Sequence, residues 1–191
     1  MVKLGVDGDP VRSAAQHLAG LSFESGWPCA VTPGLGKFRG PGRKTDPCPY
    51  ATLVALKALV QIPEWRDSKA CLNGAETLLK LWEQRKERRP YMFAMGTNFA
   101  KLKAPMVWYD ILHVLDVLTQ LPHLLEDKRL LEMVETVKAK SDEGGRFTAE
   151  SIWKPWSGWE FGQKREASFL LTLLAQRIFG RMSEPRSTLK A

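Results

Sequence analysis

Long apolar runs and cysteines are both scarce in this chain of 191 residues. Charged residues interrupt every apolar stretch, so no segment is expected to span a bilayer. The opening MVKLGVDGDP lacks the apolar core of a signal peptide. The three cysteines, Cys29, Cys48 and Cys71, are too few and odd in number for a disulfide framework. These absences predict a cytoplasmic protein.

Nucleic-acid-binding and phosphate-binding motifs are also missing. No helix-turn-helix, zinc-finger or RNP pattern is present, and the glycines of 34–44 have no strand before them and no Lys-Ser/Thr ending. The chain carries a net charge of +7, which is compatible with an ordinary solvated surface. The alternative is an anionic partner, namely nucleic acid, a phospholipid surface or a diphosphate. The densest basic cluster, 84–89, has no interleaved aromatic residues, which disfavours nucleic acid.

What the sequence does contain is an internal repeat of 59 residues. When residues 52–80 are placed over 111–139, nine of 29 positions are identical, where about two are expected by chance. The identical pairs include Leu53/Leu112, Leu56/Leu115, Gln61/Gln120, Pro63/Pro122 and Lys69/Lys128. The repeat predicts units at roughly 1–47, 48–106 and 107–164 within one domain spanning 1–191.

Each unit is predicted to contain two helices. The first helices are expected at 48–61, 107–120 and 165–180, and the second at 10–21, 68–86 and 127–140. Asp9, Ser68 and Asp127, spaced by 59 residues, are suitable N-caps for the second helices. The linkers 22–47, 87–106 and 141–164 are long and rich in Gly, Pro and aromatic residues, and such loops often carry function.

The two kinds of helix differ in their polarity. The first helices, such as DILHVLDVL, are almost entirely apolar, which indicates burial on both sides. The second helices have one apolar stripe and one charged face, which is typical of an outer layer. The pattern therefore predicts an inner and an outer helical layer, with an apolar interior.

The segments DPCPYATLVALKAL, WYDILHVLDVL, ESGW and GGRF resemble the α/α-toroid superfamily of terpene cyclases and protein prenyltransferase β subunits. They look closest to its bacterial prenyltransferase/squalene-oxidase-repeat members. The resemblance runs from about Leu4 to Gly180 and implies an all-α, toroid-like array of about three helical hairpins. Because complete toroids use five or more hairpins, it also implies a partial toroid whose open edges favour a homodimer. The enzyme families of the superfamily bind isoprenoids in the apolar interior.

The catalytic motifs of these families are mostly missing here. Neither the D-x-D-D motif of class II cyclases nor the aspartate-rich metal motif of class I enzymes occurs. Asp46 and Cys48 match in type the D-x-C zinc pair of the prenyltransferases, but Val107 stands where a third ligand is expected. The alternative is structural: Asp46 caps the helix, Pro47 starts it and Cys48 is a small buried thiol. No cofactor is therefore expected, with zinc as the one candidate.

Three polar residues, Asp110, His113 and Asp116, lie at intervals of three inside an apolar helix. They suggest two interpretations. In the catalytic one, Asp110 raises the basicity of His113 for acid–base chemistry. In the structural one, Asp110 caps or bridges to a linker, and Asp116 pairs with its repeat equivalent Lys57.

The apolar interior is expected to include aromatic residues from the inner helices and the last linker. The cavity candidates are Tyr50, Trp108, Tyr109, Leu112, Trp153 and Trp156. Trp153, Trp156 and Trp159 could equally anchor the packing of the last linker. Binding of an apolar, isoprenoid-like small molecule is the leading functional hypothesis. The alternative is a non-catalytic scaffold that binds a protein or nucleic-acid partner, and the sequence leaves open whether the protein is an enzyme.

Overall fold

The computed structural model describes residues 8–29, 48–87 and 95–183. The chain forms two compact units that divide between residues 94 and 95. Among the described residues both units are mainly α-helical, with one short two-stranded sheet in unit 2, so the all-α prediction is confirmed. No helix in these ranges is sufficiently long and apolar to cross a membrane.

The secondary structure is a succession of short helices. The helices of unit 1 are α1 (Asp9–Gly20), α2 (Pro49–Leu59) and α3 (Lys69–Glu83). The helices of unit 2 are α4 (Thr97–Ala100), α5 (Ile111–Leu118), α6 (Lys128–Lys138) and α7 (Phe169–Ser183). Strands β1 (Phe147–Thr148) and β2 (Ala167–Ser168) pair antiparallel, and 3₁₀ helices occupy Pro63–Trp65, Pro122–Leu124 and Lys154–Trp156.

The 59-residue repeat is visible in the connection between the first and the second helix of a repeat. The ends of α2 and α5, the two following 3₁₀ helices and the starts of α3 and α6 are each separated by 59 residues. A side-chain contact repeats as well: Gln61 Nε2 donates to the Lys57 carbonyl at 3.0 Å, and Gln120 Nε2 donates to the Asp116 carbonyl at 2.7 Å. The identical residues of the repeat therefore build the same turn twice.

The N-caps of the outer helices agree with the prediction in two cases of three. Ser68 Oγ accepts a hydrogen bond from the backbone of Cys71 at 3.2 Å, and Asp127 Oδ1 accepts one from Arg129 at 2.8 Å. Asp9 was expected to be the third cap, but it is the first residue of α1, and Gly8 holds the cap position without a side-chain bond. The acidic side chain of Asp9 still lies in the first turn, where the helix dipole favours negative charge.

The starts of two inner helices differ from the prediction. The range 107–120 was expected to be helical, but α5 begins at Ile111, because the Asp110 side chain accepts the backbone N–H of His113 and sets the start there. The expected helix 165–180 begins at Phe169, because the preceding residues pair as β2 with β1. The all-helical pattern gave no indication of this small sheet.

Trp27 contacts all three of the helices that the structure describes in unit 1. Its indole Nε1 donates to the Leu18 carbonyl of α1 at 2.8 Å, and its backbone N–H donates to Thr52 Oγ1 of α2 at 3.0 Å. On α3, Gly74 leaves room for the ring, since a Cβ there would lie 2.8 Å from Trp27 Cζ3. The turn before it requires Gly26, whose φ is +83°. The ESGW segment thus supplies the main packing anchor of unit 1.

Helix α5 is the centre of unit 2. All eight of its residues are buried, and it packs against both α6 and α7. Helix α7 also packs on β1, where Phe147 contacts the ring of Phe179 at 6.0 Å between centroids. Helices α5 and α7 are therefore neighbours in unit 2, and their arrangement as successive inner helices of a toroid stays a prediction.

Candidate functional site

The two candidate catalytic residues of α5 are deeply buried. Asp110 is 0% exposed and His113 is 2% exposed. The Asp110 Oδ1 atom accepts the His113 backbone N–H at 3.0 Å, so this carboxylate is the N-cap of α5. His113 Nδ1 lies 2.6 Å from the Trp108 carbonyl oxygen. Since a carbonyl oxygen can only accept, Nδ1 carries the proton. These contacts are those of the structural interpretation, and a catalytic role remains a prediction.

The third polar residue of the stripe, Asp116, forms an ion-pair network with α7. Its Oδ1 atom accepts from Arg177 Nη2 at 2.7 Å and from Arg181 Nη1 at 3.0 Å. Arg181 Nη1 also donates to the Asp116 carbonyl at 2.9 Å and to Thr119 Oγ1 at 3.2 Å. The repeat had suggested Lys57 as the partner of Asp116. The sequence did not indicate the arginines of α7, because the repeat offers no equivalent residues that would identify them as partners of Asp116.

The candidate zinc ligands do not form a recognisable metal site in the described part of the chain. Cys48 is buried and acts as the N-cap of α2, with its Sγ atom accepting from the Ala51 backbone at 3.4 Å. The sequence had placed that cap at Asp46, which lies outside the described residues. Within 8–29, 48–87 and 95–183, no three His, Cys, Asp or Glu side chains converge as metal ligands would.

Cys48 has a second cysteine as its neighbour. Cys29 is partly exposed, and burial together with the nearby Cys48 thiol raises the Cys29 pKa to about 12. Burial also raises the pKa of Cys71, which lies in the first turn of α3. Since the thiolate is the reactive and metal-binding form, this environment opposes nucleophilic chemistry at Cys29 and Cys71.

Five of the six predicted cavity residues belong to unit 2, and Tyr50 belongs to unit 1. Trp108 and Trp153 form an edge-on pair with centroids 5.4 Å apart, while Tyr109 contacts Phe99 at 5.2 Å. Leu112 is fully buried in α5, and Trp156 packs against Trp159 and Phe161. Tyr50 belongs to α2 of unit 1, where it is 36% exposed. The aromatic residues of the last linker thus anchor its packing.

A groove of about 440 Å³ lies between α1 and α2 of unit 1, and none of the six predicted residues lines it. Most of its lining is apolar, and it is supplied by the outer helix α1 and the second half of the inner helix α2. The lining residues are Pro10, Val11, Ala14, Ala15, Leu18, Lys57, Ala58, Leu59, Gln61 and Ile62. The volume and composition are those of a typical small-molecule site.

The polar residues of the groove lie in the last turn of α2 and just after its end at Leu59. Lys57 and Gln61 are one turn apart, and Gln61 Nε2 is already bonded to the Lys57 carbonyl. The wall supplied by α1 contributes only apolar side chains, among them Val11 and Leu18. The groove therefore has an amphipathic character, with polar residues on one wall and a mainly hydrocarbon lining.

The helices that line the groove have counterparts in unit 2. By the 59-residue repeat, the consecutive pair α1 and α2 in unit 1 corresponds to the pair α6 and α7 in unit 2. In unit 2, the fully buried helix α5 packs against both members of that pair. In unit 1, helix α3 packs against both α1 and α2. Ala14 and Ala58 have small side chains, which allow a ligand to approach the two helices closely. Small residues alone did not identify the site in the sequence.

Comparison of the chain with known protein families, curated proteins and solved structures finds no match. The likeness to the α/α-toroid superfamily thus stays a prediction, and the candidate site is defined by its geometry.

Proposed function

We propose that this chain is a toroid-like helical-repeat binding protein that holds an apolar, isoprenoid-like ligand in the α1–α2 groove. The observation that carries the proposal is the groove itself, about 440 Å³ in volume and lined mainly by aliphatic side chains. The volume lies in the range of small-molecule sites, and the exposed lining residues Pro10, Ala14 and Ala58 leave the groove open to a ligand. The site differs from the expected one, because residues of α1 and α2 line it and Trp108, Tyr109 and Leu112 do not.

The two polar residues of the groove refine the ligand class. Lys57 and Gln61 both line the groove, so we expect a chain with a hydroxyl, carboxylate or phosphate head to fit better than a pure hydrocarbon. Burial of apolar surface contributes roughly 25 cal/mol per Å². The hydrocarbon tail therefore supplies most of the affinity, and the head group sets the orientation.

Binding of farnesol to the purified chain, measured by isothermal titration calorimetry, tests this proposal. The variant A58W places an indole in the groove and is expected to abolish binding. The matched control is A139W, since Ala139 is an exposed alanine directly after α6. Loss of binding in A58W with retention in A139W supports the proposal, whereas unchanged binding in A58W contradicts it.

A second function is favoured by one specific observation, the apolar lining of the groove between two helices. Since α1 and α2 supply mainly aliphatic side chains to it, the groove also suits an apolar helix from a protein partner, as in helix-in-groove recognition. A second copy of this chain is one such partner, which is the homodimer expected from open toroid edges. Sedimentation velocity over a range of concentrations distinguishes the two functions: a self-association that A58W abolishes supports the scaffold function.

A further inference from the structure

Several of the exposed apolar side chains of unit 2 lie in or beside one segment, the tryptophan loop (residues 151–166). Trp153 is 51% exposed and Trp159 is 58% exposed, and Ile152 in the same loop is also exposed. Phe169 and Leu173, at the start of α7, are 84% and 64% exposed. Single exposed apolar residues are ordinary, but a group of large ones marks an interaction surface.

The tryptophan loop is folded, and it holds these side chains in fixed positions. Trp156 contacts both Trp159 and Phe161 at 5.8 Å between centroids, and Trp159 stacks on Phe161. Gly162 lies so close to the Trp156 carbonyl that no Cβ fits there. At the far end, Trp153 rests edge-on against Trp108. The exposed indoles are therefore presented by a packed platform.

The end of the loop is fastened to the start of α7. The Glu160 carboxylate accepts a hydrogen bond from Ser168 Oγ at 3.0 Å and from the Phe169 backbone N–H at 2.5 Å. This contact joins the residue after Trp159 to Phe169, so the exposed side chains of the loop and of α7 are neighbours. It also places the negative charge of Glu160 at a helix N-terminus, where the helix dipole offsets it.

The tryptophan loop carries three exposed basic residues, Lys154, Lys164 and Arg165, and two exposed acidic ones, Glu160 and Glu166. Because the Glu160 carboxylate is bonded to the start of α7, the other charges of the loop are three basic groups and one acidic group. Lys154 stands directly beside Trp153. This is the composition of a surface that meets the interface of an anionic bilayer, where indole rings sit at headgroup level and basic side chains meet lipid phosphates.

We propose that the tryptophan loop and the first turn of α7 form a docking surface for an anionic phospholipid bilayer. Trp153, Trp159 and Phe169 enter the headgroup region, while Lys154 and Arg165 contact phosphate groups. Exposed aliphatic side chains favour lipid over single-stranded nucleic acid, because bases stack on aromatic rings whereas Ile152 and Leu173 have no face to offer them. The proposal does not depend on the groove of unit 1.

Vesicle co-sedimentation tests the proposal directly. The full chain is mixed with vesicles of phosphatidylcholine alone and of phosphatidylcholine with phosphatidylserine, and the bound fraction is measured against lipid concentration. We expect binding to the mixed vesicles that salt weakens, and little binding to phosphatidylcholine alone. The double variant W153A/W159A is expected to lower the partition coefficient by about tenfold or more.

Two further variants separate docking from misfolding. K154E/R165E alters only exposed charges and is expected to remove the preference for phosphatidylserine while leaving the thermal transition unchanged. L131A removes an apolar side chain of similar exposure on α6, 41%, and is expected to bind as the unaltered chain does. Circular dichroism melts check that each variant is folded.

The outcomes decide the proposal in either direction. Loss of binding in W153A/W159A, with loss of lipid preference in K154E/R165E, supports it. It is overturned if the unaltered chain ignores anionic vesicles, or if both variants bind as the unaltered chain does. It is also overturned if the same tryptophans are needed for single-stranded nucleic acid or self-association and vesicles are not bound.

Discussion

The Asp116 carboxylate on α5 accepts hydrogen bonds from Arg177 and Arg181 on α7, at 2.7 and 3.0 Å. The Asp116 side chain is only 3% exposed, whereas those of Arg181 and Arg177 are 18% and 42% exposed. A buried carboxylate requires such partners, because an unpaired charge in the interior is costly. The polar stripe that suggested an active site thus ties two inner helices together at this position.

Substitution D116A is expected to destabilise the protein by about 2–3 kcal/mol, which is below the usual range for a broken buried pair because Arg177 is partly solvated. Arg177 and Arg181 would lose their carboxylate partner, while the bonds of Arg181 to the Asp116 carbonyl and to Thr119 Oγ1 would remain. Urea denaturation measures the effect. The control K138A breaks the exposed Lys138–Glu135 pair and should cost less than about 0.5 kcal/mol. Equal effects of the two substitutions would contradict a structural role for Asp116.

Substitution G74A is expected to cost about 1–3 kcal/mol by overpacking. The added Cβ would lie 2.8 Å from Trp27 Cζ3 and 3.2 Å from Leu56 Cδ2, so the anchor of unit 1 has to move. At Gly180, inside α7, a Cβ meets nothing within 4 Å, and G180A should stabilise the helix by roughly 0.5–1 kcal/mol. Thermal melts of both variants test the sign of each effect, and a neutral G74A would show that Trp27 does not pack as described.

The tautomer of His113 is open to measurement. Because Nδ1 faces the Trp108 carbonyl at 2.6 Å, nitrogen NMR should find a slowly exchanging proton on Nδ1. Substitution H113F leaves that carbonyl without its donor and should cost about 1–3 kcal/mol. H113N, whose amide can donate from nearly the same position, should cost less. If Nε2 carries the proton and Nδ1 does not, the hydrogen bond from Nδ1 to the Trp108 carbonyl is excluded. That result would favour the catalytic interpretation, in which this ring transfers protons.

Cys29 is expected to react slowly with thiol reagents. With a pKa of about 12, its thiolate is scarce at pH 8, and alkylation by iodoacetamide should be at least about a hundredfold slower than that of a free cysteine. The rate should rise with pH up to the pKa. Substitution C48A removes one cause of the raised pKa and should accelerate the reaction. Fast alkylation of Cys29 in the unaltered chain would contradict the environment described for the pair.

The sequence predicted the helical elements well because hydrophobic periodicity and caps are local. The N-cap residues Ser68 and Asp127 predicted where the second helices start, and the prolines at 63 and 122 predicted the turns before them. Helices α2 and α5 end at Leu59 and Leu118, two residues before the predicted ends at 61 and 120, and the two ends keep the spacing of the repeat. Helix starts were less certain, since Cys48 rather than Asp46 caps α2, and a thiol is an unusual cap.

The candidate site could not be predicted because it depends on which surfaces remain uncovered. The repeat showed that α1 and α2 are consecutive elements, but their side chains carry no signal that a groove forms between them. Likewise, Arg177 and Arg181 have no repeat equivalents that would identify them as partners of Asp116. Local patterns specify elements, whereas long-range contacts depend on the packing of those elements.

Methyl NMR tests most directly whether the α1–α2 groove binds an apolar ligand. In protein labelled at alanine methyl groups, Ala14, Ala15 and Ala58 report on the groove, while Ala139 and Ala149 in unit 2 serve as references. Titration with farnesol should shift the three groove signals in a saturable manner and leave the reference signals in place. Saturable shifts at Ala139 and Ala149 with unchanged groove signals, or no shifts at any alanine, would contradict the account.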